Sequence, residues 1–169
     1  MSPQRTLILL KPDAIQRGIV GEIITRFERV GAQLVGMKLV HAKEEIAKKH
    51  YTEDITVRLG EHIRTLAIDM ITSGPIVAIV LEGIDIVEVV RKMVGATEPK
   101  SAAPGTIRGD YAHVSYGVAD SSKKALFNLI HASGNAEEAV AEIQVWFNED
   151  ELVDHKPGYS KLTIHQYYE

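Results

Sequence analysis

An α+β fold is predicted from three observations. Short apolar runs with strand character alternate with stretches whose apolar residues recur every three or four positions. The two kinds follow one another in mixed order, without the regular strand–helix repeat of a doubly wound sheet. The 169-residue length and 45% hydrophobic content suit one domain, 1–169, with room for a substantial core. In chain order, residues 6–10 (Thr-Leu-Ile-Leu-Leu) are an apolar run cut by Lys11-Pro12, a buried strand. Residues 18–29 carry Ile19, Ile23, Phe27 and Val20, Ile24 at spacings of four, one face of a helix closed by Gly31. Residues 33–41 alternate loosely as a second strand, and 43–51 form a charged surface helix around Ile46 and Ala47. A further helix over 61–71 sets Ile63, Leu66, Ala67 and Met70 on one side. Gly74-Pro75 turns the chain into 76–81, the most strand-like segment of all, and 87–93 follow as a short helix. Periodicity disappears over 95–109, which read as a long loop of the kind that often carries function. Asn128-Leu129-Ile130 is a short apolar stretch, and Ala139, Ile143 and Phe147 mark a helix over 136–147. The order β-α-β, helices, β-α, loop, β-α matches a ferredoxin-like split βαβ core: a four-stranded antiparallel sheet with helices packed on it.

Composition narrows the function. Nineteen Lys+Arg against 23 Asp+Glu give a net charge of −4, so no whole-molecule basic footprint for nucleic acid exists. With no cysteine, disulfides, thiol catalysis and cysteine-based zinc sites are excluded. The longest apolar run, 76–81, is far too short to span a bilayer, and the first residues lack a secretory pattern, so a soluble cytoplasmic domain is expected.

Cations, hydroxyls and one histidine recur where strands and loops end. His131 follows an apolar stretch, where a neutral imidazole would be a held nucleophile; with seven histidines in the chain, any one alone is more often structural. Gly105-Thr-Ile-Arg108-Gly109 closes the loop with a forked phosphate donor between glycines that would let backbone approach a ligand, and Arg91 and Thr97 stand just before it. A lone arginine is more often a surface ion-pair partner; the group is less easily dismissed. Lys11 leaves the first strand as a point charge, though solvated strand-end lysines are common. No phosphate-binding Gly-x-x-x-x-Gly-Lys loop is present. The shared theme is phosphate handling.

These segments, in order, resemble a nucleoside diphosphate kinase: Thr6-Leu-Ile-Leu-Leu-Lys-Pro-Asp-Ala14, Gln16-Arg-Gly-Ile-Val-Gly-Glu22, Ser73-Gly-Pro75, Glu82-Gly83 with Arg91 beyond it, Gly95-Ala-Thr-Glu-Pro99, Pro104-Gly-Thr-Ile-Arg-Gly-Asp110, Asn128-Leu-Ile-His131 and Glu142-Ile-Gln-Val-Trp-Phe147. The similarity covers a core of about 6–151, leaving 152–169 as a C-terminal extension. It implies a ping-pong transfer of the terminal phosphoryl group from a nucleoside triphosphate to a nucleoside diphosphate through phosphorylated His131, with broad base specificity. Glu142 would hold the far ring nitrogen, Tyr51 would lie near the histidine, and Ser133 would support the loop after it. Arg91, Thr97 and Arg108 would grip phosphates, and Lys11 and Asn128 would reach the ribose hydroxyls, Lys11 also the transferred group. Mg²⁺ is expected on the nucleotide phosphates and not in a protein cage. A homo-oligomer is implied, a hexamer in preference to a tetramer or dimer, with contacts from the 95–109 loop.

Three departures stand out. The family's Pro-Phe-Phe after the tyrosine, whose first phenylalanine stacks on the base, is missing: residues 52–71 contain no Phe, Tyr or Trp, so Leu59 or Ile63 is expected to cover the base. An insert of roughly ten residues around 115–122 separates Arg108 from Asn128, forming a loop or hairpin over the cleft or a subunit contact. Ala132-Ser-Gly-Asn135 follows His131 in place of the usual Gly-Ser-Asp-Ser. The competing readings are a ferredoxin-like module that binds nucleotides without catalysis, and a nucleic-acid-binding protein, which the net charge opposes.

Overall fold

The computed structural model describes residues 3–154. Strand β1 (Gln4–Leu10) lies between two partners, running antiparallel to β3 (Pro75–Gly83) on one side and to β4 (Ile130–Ala132) on the other. Strand β2 (Gln33–His41) pairs antiparallel with β3, giving the order β2-β3-β1-β4. This is the four-stranded antiparallel sheet expected. Its two faces explain why residues 7–10 of β1 are all apolar: Ile8 and Leu10 pack into one core, Leu7 and Leu9 into the other.

The first core is closed by α1 (Pro12–Gln16), α2 (Val20–Arg29) and α6 (Ile86–Val94) through Ala14, Ile23, Phe27 and Val90. The second lies under α3 (Glu44–His50), α5 (Glu61–Thr72) and α9 (Ala136–Trp146) through Ala47, Ile68, Ile71, Ile143 and Trp146. The face of α5 read from the sequence lines a cleft through Ile63, Leu66, Ala67 and the buried Met70, while Ile68 and Ile71, not read, enter the core.

Four short helices were not foreseen, one of them (Ile107–Tyr111) starting inside the expected loop. Helix α1 starts with Pro12 at its first position, where the missing N–H costs nothing. Helix α4 (Glu53–Leu59) buries no residue, so it leaves no apolar periodicity to read; acids in its first turn and Arg58 in its last suit its ends. Helix α8 (Tyr116–Ser121) folds the insert, capped by the Ser115 hydroxyl accepting from the Val118 amide.

The 95–109 loop is less irregular than expected. A 3₁₀ turn occupies Pro99–Ser101, and α7 (Ile107–Tyr111) begins inside it, capped by Thr106 Oγ1 accepting from Gly109 N at 3.1 Å. Of the two glycines expected to admit a ligand, Gly109 answers to the loop itself, since a Cβ there would meet the Ala103 carbonyl oxygen at 2.1 Å, while Gly105 holds a left-handed backbone (φ 88°) beside open space.

Of the extension, residues 155–169 lie outside the described part. Up to residue 154 it crosses β2, where Val153 N donates to Val35 O at 2.8 Å, and just before it Glu151 pairs with Lys38 Nζ at 2.6 Å. The segment lies close over Gly36, where a Cβ would stand 2.8 Å from Leu152 Cδ2 and 3.3 Å from the Glu151 carbonyl oxygen. No helix among the described residues is long and apolar enough to cross a membrane.

Candidate active site

The site begins with a strained turn. Leu129 holds a left-handed backbone (φ 69°), unusual for a branched apolar residue. Its amide donates to Asp13 Oδ2 at 3.0 Å and its carbonyl accepts from Lys11 N at 2.8 Å, so the start of α1 fixes the turn from both sides. The turn sends Asn128 towards the cleft and brings His131 into β4 opposite Leu9, on the face covered by α3 and α9.

There Nε2 of His131 lies 2.9 Å from Glu142 Oε1. The contact is close but not aligned as a hydrogen bond, because Nε2 is buried without a partner of good geometry. Glu142 is held in turn: its Oε2 accepts from Ser133 Oγ at 2.6 Å, and Ser133 Oγ accepts from the Leu7 amide at 3.1 Å. The sheet thus orients the carboxylate, and the carboxylate faces one ring nitrogen.

His50, not singled out from the sequence, completes this side. It is buried, its ring centroid 4.4 Å from that of His131 and nearly perpendicular, with Trp146 at 5.7 Å. Burial pushes its pKa well below the usual 6.5, with the His131 and Lys11 charges adding to the effect, so it is neutral at pH 7. Tyr51 meets the His50 ring edge-on at 4.8 Å; burial and then the Glu142 charge hold its phenol protonated. Arg64 Nε donates to the Tyr51 carbonyl at 2.8 Å and pins the end of α3, another role the sequence pattern concealed.

On the other side of Tyr51 lies a cleft of about 220 Å³. Its polar end is built from Lys11, Asn128 and Thr97: Lys11 Nζ donates to Asn128 Oδ1 at 2.7 Å, and Asn128 Nδ2 donates to the Thr97 carbonyl at 2.8 Å. Lys11 is buried, and burial with repulsion from Arg108 lowers its pKa to about 8, against the opposing pull of Asp13. Leu59 and Ile63 both line the apolar end, and the insert faces them through Tyr116 and Ala119 of α8. An aromatic side chain, Tyr116, thus borders the cleft from the insert, which residue types alone could not locate.

The arginines differ. Arg108 is buried and donates to the carbonyls of Asn128 (3.2 Å), Gly95 (3.1 Å) and Ile130 (2.6 Å), tying α7 to the strained turn; burial and then Arg91 lower its pKa to about 10, so it stays charged. Arg91 is exposed and close enough to repel Arg108, but it lines a neighbouring groove with Glu88, Gly134 and Asn135, apart from Thr97 and Lys11.

Among the described residues, the metal-capable group is His50, His131 and Glu142, with ligand atoms within 4.8 Å of one another. Two imidazoles and one carboxylate do not suit Mg²⁺, which takes oxygen ligands.

Comparison with known proteins fits this geometry. The family model described as nucleoside diphosphate kinase matches residues 4–152. A nucleoside diphosphate kinase of Borreliella burgdorferi is 43% identical over 154 residues, 90% of this chain and 92% of that protein. One from Pyrococcus horikoshii is 49% identical over 152 residues, 90% of each chain. Among solved structures, a transition-state mimic of the Borrelia burgdorferi enzyme with bound vanadate and ADP superposes with a TM-score of 0.93 at 41% identity, covering 98% of both chains. A halophilic nucleoside diphosphate kinase from Halobacterium salinarum in complex with CDP gives 0.81 at 38% identity, covering 94% of this chain and 97% of that one. With the ordered motifs, the antiparallel sheet and matches across nearly the whole chain in agreement, the protein belongs to the nucleoside diphosphate kinase family, enzymes that move phosphate between nucleotides.

Proposed function

We propose that the chain transfers the terminal phosphoryl group of a nucleoside triphosphate to a nucleoside diphosphate in two half-reactions through a phosphohistidine at His131. The observation that carries this reading is the relay Leu7 N–Ser133–Glu142–His131, which buries Nε2 against a carboxylate. With the proton kept on Nε2 beside Glu142, the lone pair sits on Nδ1. That nitrogen attacks the terminal phosphorus, the bond from phosphorus to the bridging oxygen breaks, and the nucleoside diphosphate departs. Glu142 stabilises the positive charge left on the ring. In the second half-reaction a terminal phosphate oxygen of the acceptor attacks the same phosphorus and the N–P bond breaks, returning neutral His131.

Phosphoryl transfer asks for positioning and charge stabilisation more than for covalent help. Lys11 is suited to the transferred group and, with Asn128, to the ribose hydroxyls; Thr97, Arg108 and Arg91 are suited to phosphates, Arg91 after its side chain swings from the neighbouring groove. Tyr51 buttresses the histidine pair. Mg²⁺, chelated by the nucleotide phosphates, supplies charge neutralisation when bound. The base would lie at the apolar end of the cleft, whose Ile55, Leu59 and Ile63 touch faces and do not read edges, in keeping with broad specificity. The reading includes a single catalytic domain over 1–169, a cytoplasmic setting and a homo-oligomer, hexameric in preference to tetrameric or dimeric. ADP and CDP in the related structures support the ligand class.

The test is intact-protein mass spectrometry after brief incubation with Mg²⁺ and ATP, on wild type and His131→Ala. The expected result is one acid-labile phosphoryl group on wild type, absent from the variant and discharged by GDP or CDP. Binding of ATP without a mass gain would leave a nucleotide-binding module in place of the kinase.

A further inference from the structure

Polar atoms converge at the back of the His131 ring without the hydrogen bonds that burial demands. Both ring nitrogens of His50 and Nε2 of His131 are buried and unpartnered. Two of the three face one carboxylate oxygen: Glu142 Oε1 is 2.9 Å from His131 Nε2 and 3.8 Å from His50 Nδ1, while Oε2 is already engaged by Ser133. A cavity of about 360 Å³ reaches this cluster on the far side of Tyr51 from the nucleotide cleft, bordered by Lys49, Asp54, Arg58 and Glu138.

We propose that His50 Nδ1, His131 Nε2 and Glu142 Oε1 form a binding site for a borderline-soft divalent cation of the Zn²⁺ class, with a water from the cavity as fourth ligand. Two imidazoles and a carboxylate are a recurrent three-ligand set for zinc with an open position. Bonds of roughly 2.0–2.1 Å in a tetrahedron set neighbouring ligand atoms about 3.3 Å apart. The two measured separations, 2.9 and 3.8 Å, straddle that value, and the third, within 4.8 Å, has to contract. Mg²⁺ is a poor match for these donors, so it and the proposed cation do not compete for the same place.

The consequence for activity rests on the phosphohistidine reading. A cation on Nε2 occupies that lone pair, and the ring proton moves to Nδ1. Nδ1 then has no lone pair to offer phosphorus. Metal at the back of the ring would switch off the nucleophile by fixing the wrong tautomer, without touching the nucleotide cleft.

Binding is tested first without nucleotide, on the full chain. Titration with Co²⁺ should produce an intense tetrahedral visible band that saturates at one ion per chain, is displaced by Zn²⁺ and is unaffected by excess Mg²⁺. His50→Phe keeps a ring in the core and removes both nitrogens; Glu142→Gln removes the shared oxygen's charge. Each should weaken Zn²⁺ binding at least tenfold, while Glu138→Gln on the cavity wall should not, with circular dichroism confirming that all three fold. A six-coordinate Co²⁺ spectrum, or Zn²⁺ affinity unchanged in both ligand variants, would overturn the site. Phosphorylation of His131 by Mg²⁺ and ATP should then slow at least tenfold in wild type at saturating Zn²⁺ and recover with a chelator. Binding without slowing would keep the site and overturn the tautomer argument.

Discussion

Lys11 carries the sharpest pH prediction at the residue scale. Its ammonium is buried against Asn128 with Arg108 nearby, and its pKa falls to about 8 from 10.5. Below that value it is charged and suited to a phosphoryl group; above it the amine is neutral. Phosphorylation of His131 by free enzyme should therefore decline as pH rises through about 8. Stability moves the other way: between about 8 and 10.5 the unfolded chain binds more protons than the folded one, so this group's contribution to stability rises with pH. A rate that falls while the melting temperature holds would identify the titration as functional. Lys11→Gln should remove the alkaline limb and slow transfer about 10- to 100-fold at pH 7, the worth of a charge-assisted hydrogen bond. A limb that survives in the variant would assign it to another group. Ser133 is a second single-residue case: it is fully buried and bridges Leu7 N and Glu142. Ser133→Ala should cost about 1–3 kcal/mol in a denaturant titration and slow phosphorylation, because Glu142 loses its orienting donor. Unchanged rate with lowered stability would confine Ser133 to the fold.

At the scale of elements, legibility followed burial. Strands β1 and β3 and helices α2 and α9 were readable because one or both faces enter the core, and burial is what imposes periodicity. Helix α4 buries nothing and α8 buries only Ala119, so neither left a pattern. The site divides similarly. Ordered motifs point to His131, Glu142, Ser133, Lys11 and Asn128, and short contacts join them in two groups, His131–Glu142–Ser133 and Lys11–Asn128. His50, Arg64 and Asp13 were missed because their partners, Glu142, the Tyr51 carbonyl and the Leu129 amide, are tertiary and leave no local spacing. The same blindness hid the second wall of the cleft. Tyr116 sits at the start of an exposed helix across from Leu59 and Ile63, so its removal should cost little stability. Stacking on a base is worth about 1–3 kcal/mol, so Tyr116→Ala should weaken ADP binding about 5- to 150-fold by calorimetry. Leu59→Phe or Ile63→Phe should strengthen it by supplying an aromatic from the opposite side. If Tyr116→Ala binds ADP as wild type does, and neither phenylalanine gives a gain, the base does not lie between these walls.

Across the whole molecule, strand order decides which surface is left to pair. Strand β2 lies at a sheet edge with β3 as its one strand neighbour among the described residues. An unpaired edge with apolar side chains is a template for another chain, and folded proteins cover it or use it. Here the C-terminal segment covers part: Val153 N reaches Val35 O, and Leu152 and Phe147 close over Gly36. Beyond that crossing the strand continues with Met37 at 52% and Leu39 at 65% exposure, two large apolar side chains two residues apart and so on one face. The expected homo-oligomer gives this stretch a use, since a second copy of the chain presents the same strand and the same side chains. Wild type should therefore sediment as an assembly larger than one 169-residue chain. Leu39→Lys, which sets a charge on the exposed face without entering either core, should shift sedimentation towards smaller species while the far-ultraviolet circular dichroism stays unchanged. A variant that sediments as wild type does would move the subunit contact to another surface, and a monomeric wild type would remove the oligomer from the proposed function altogether.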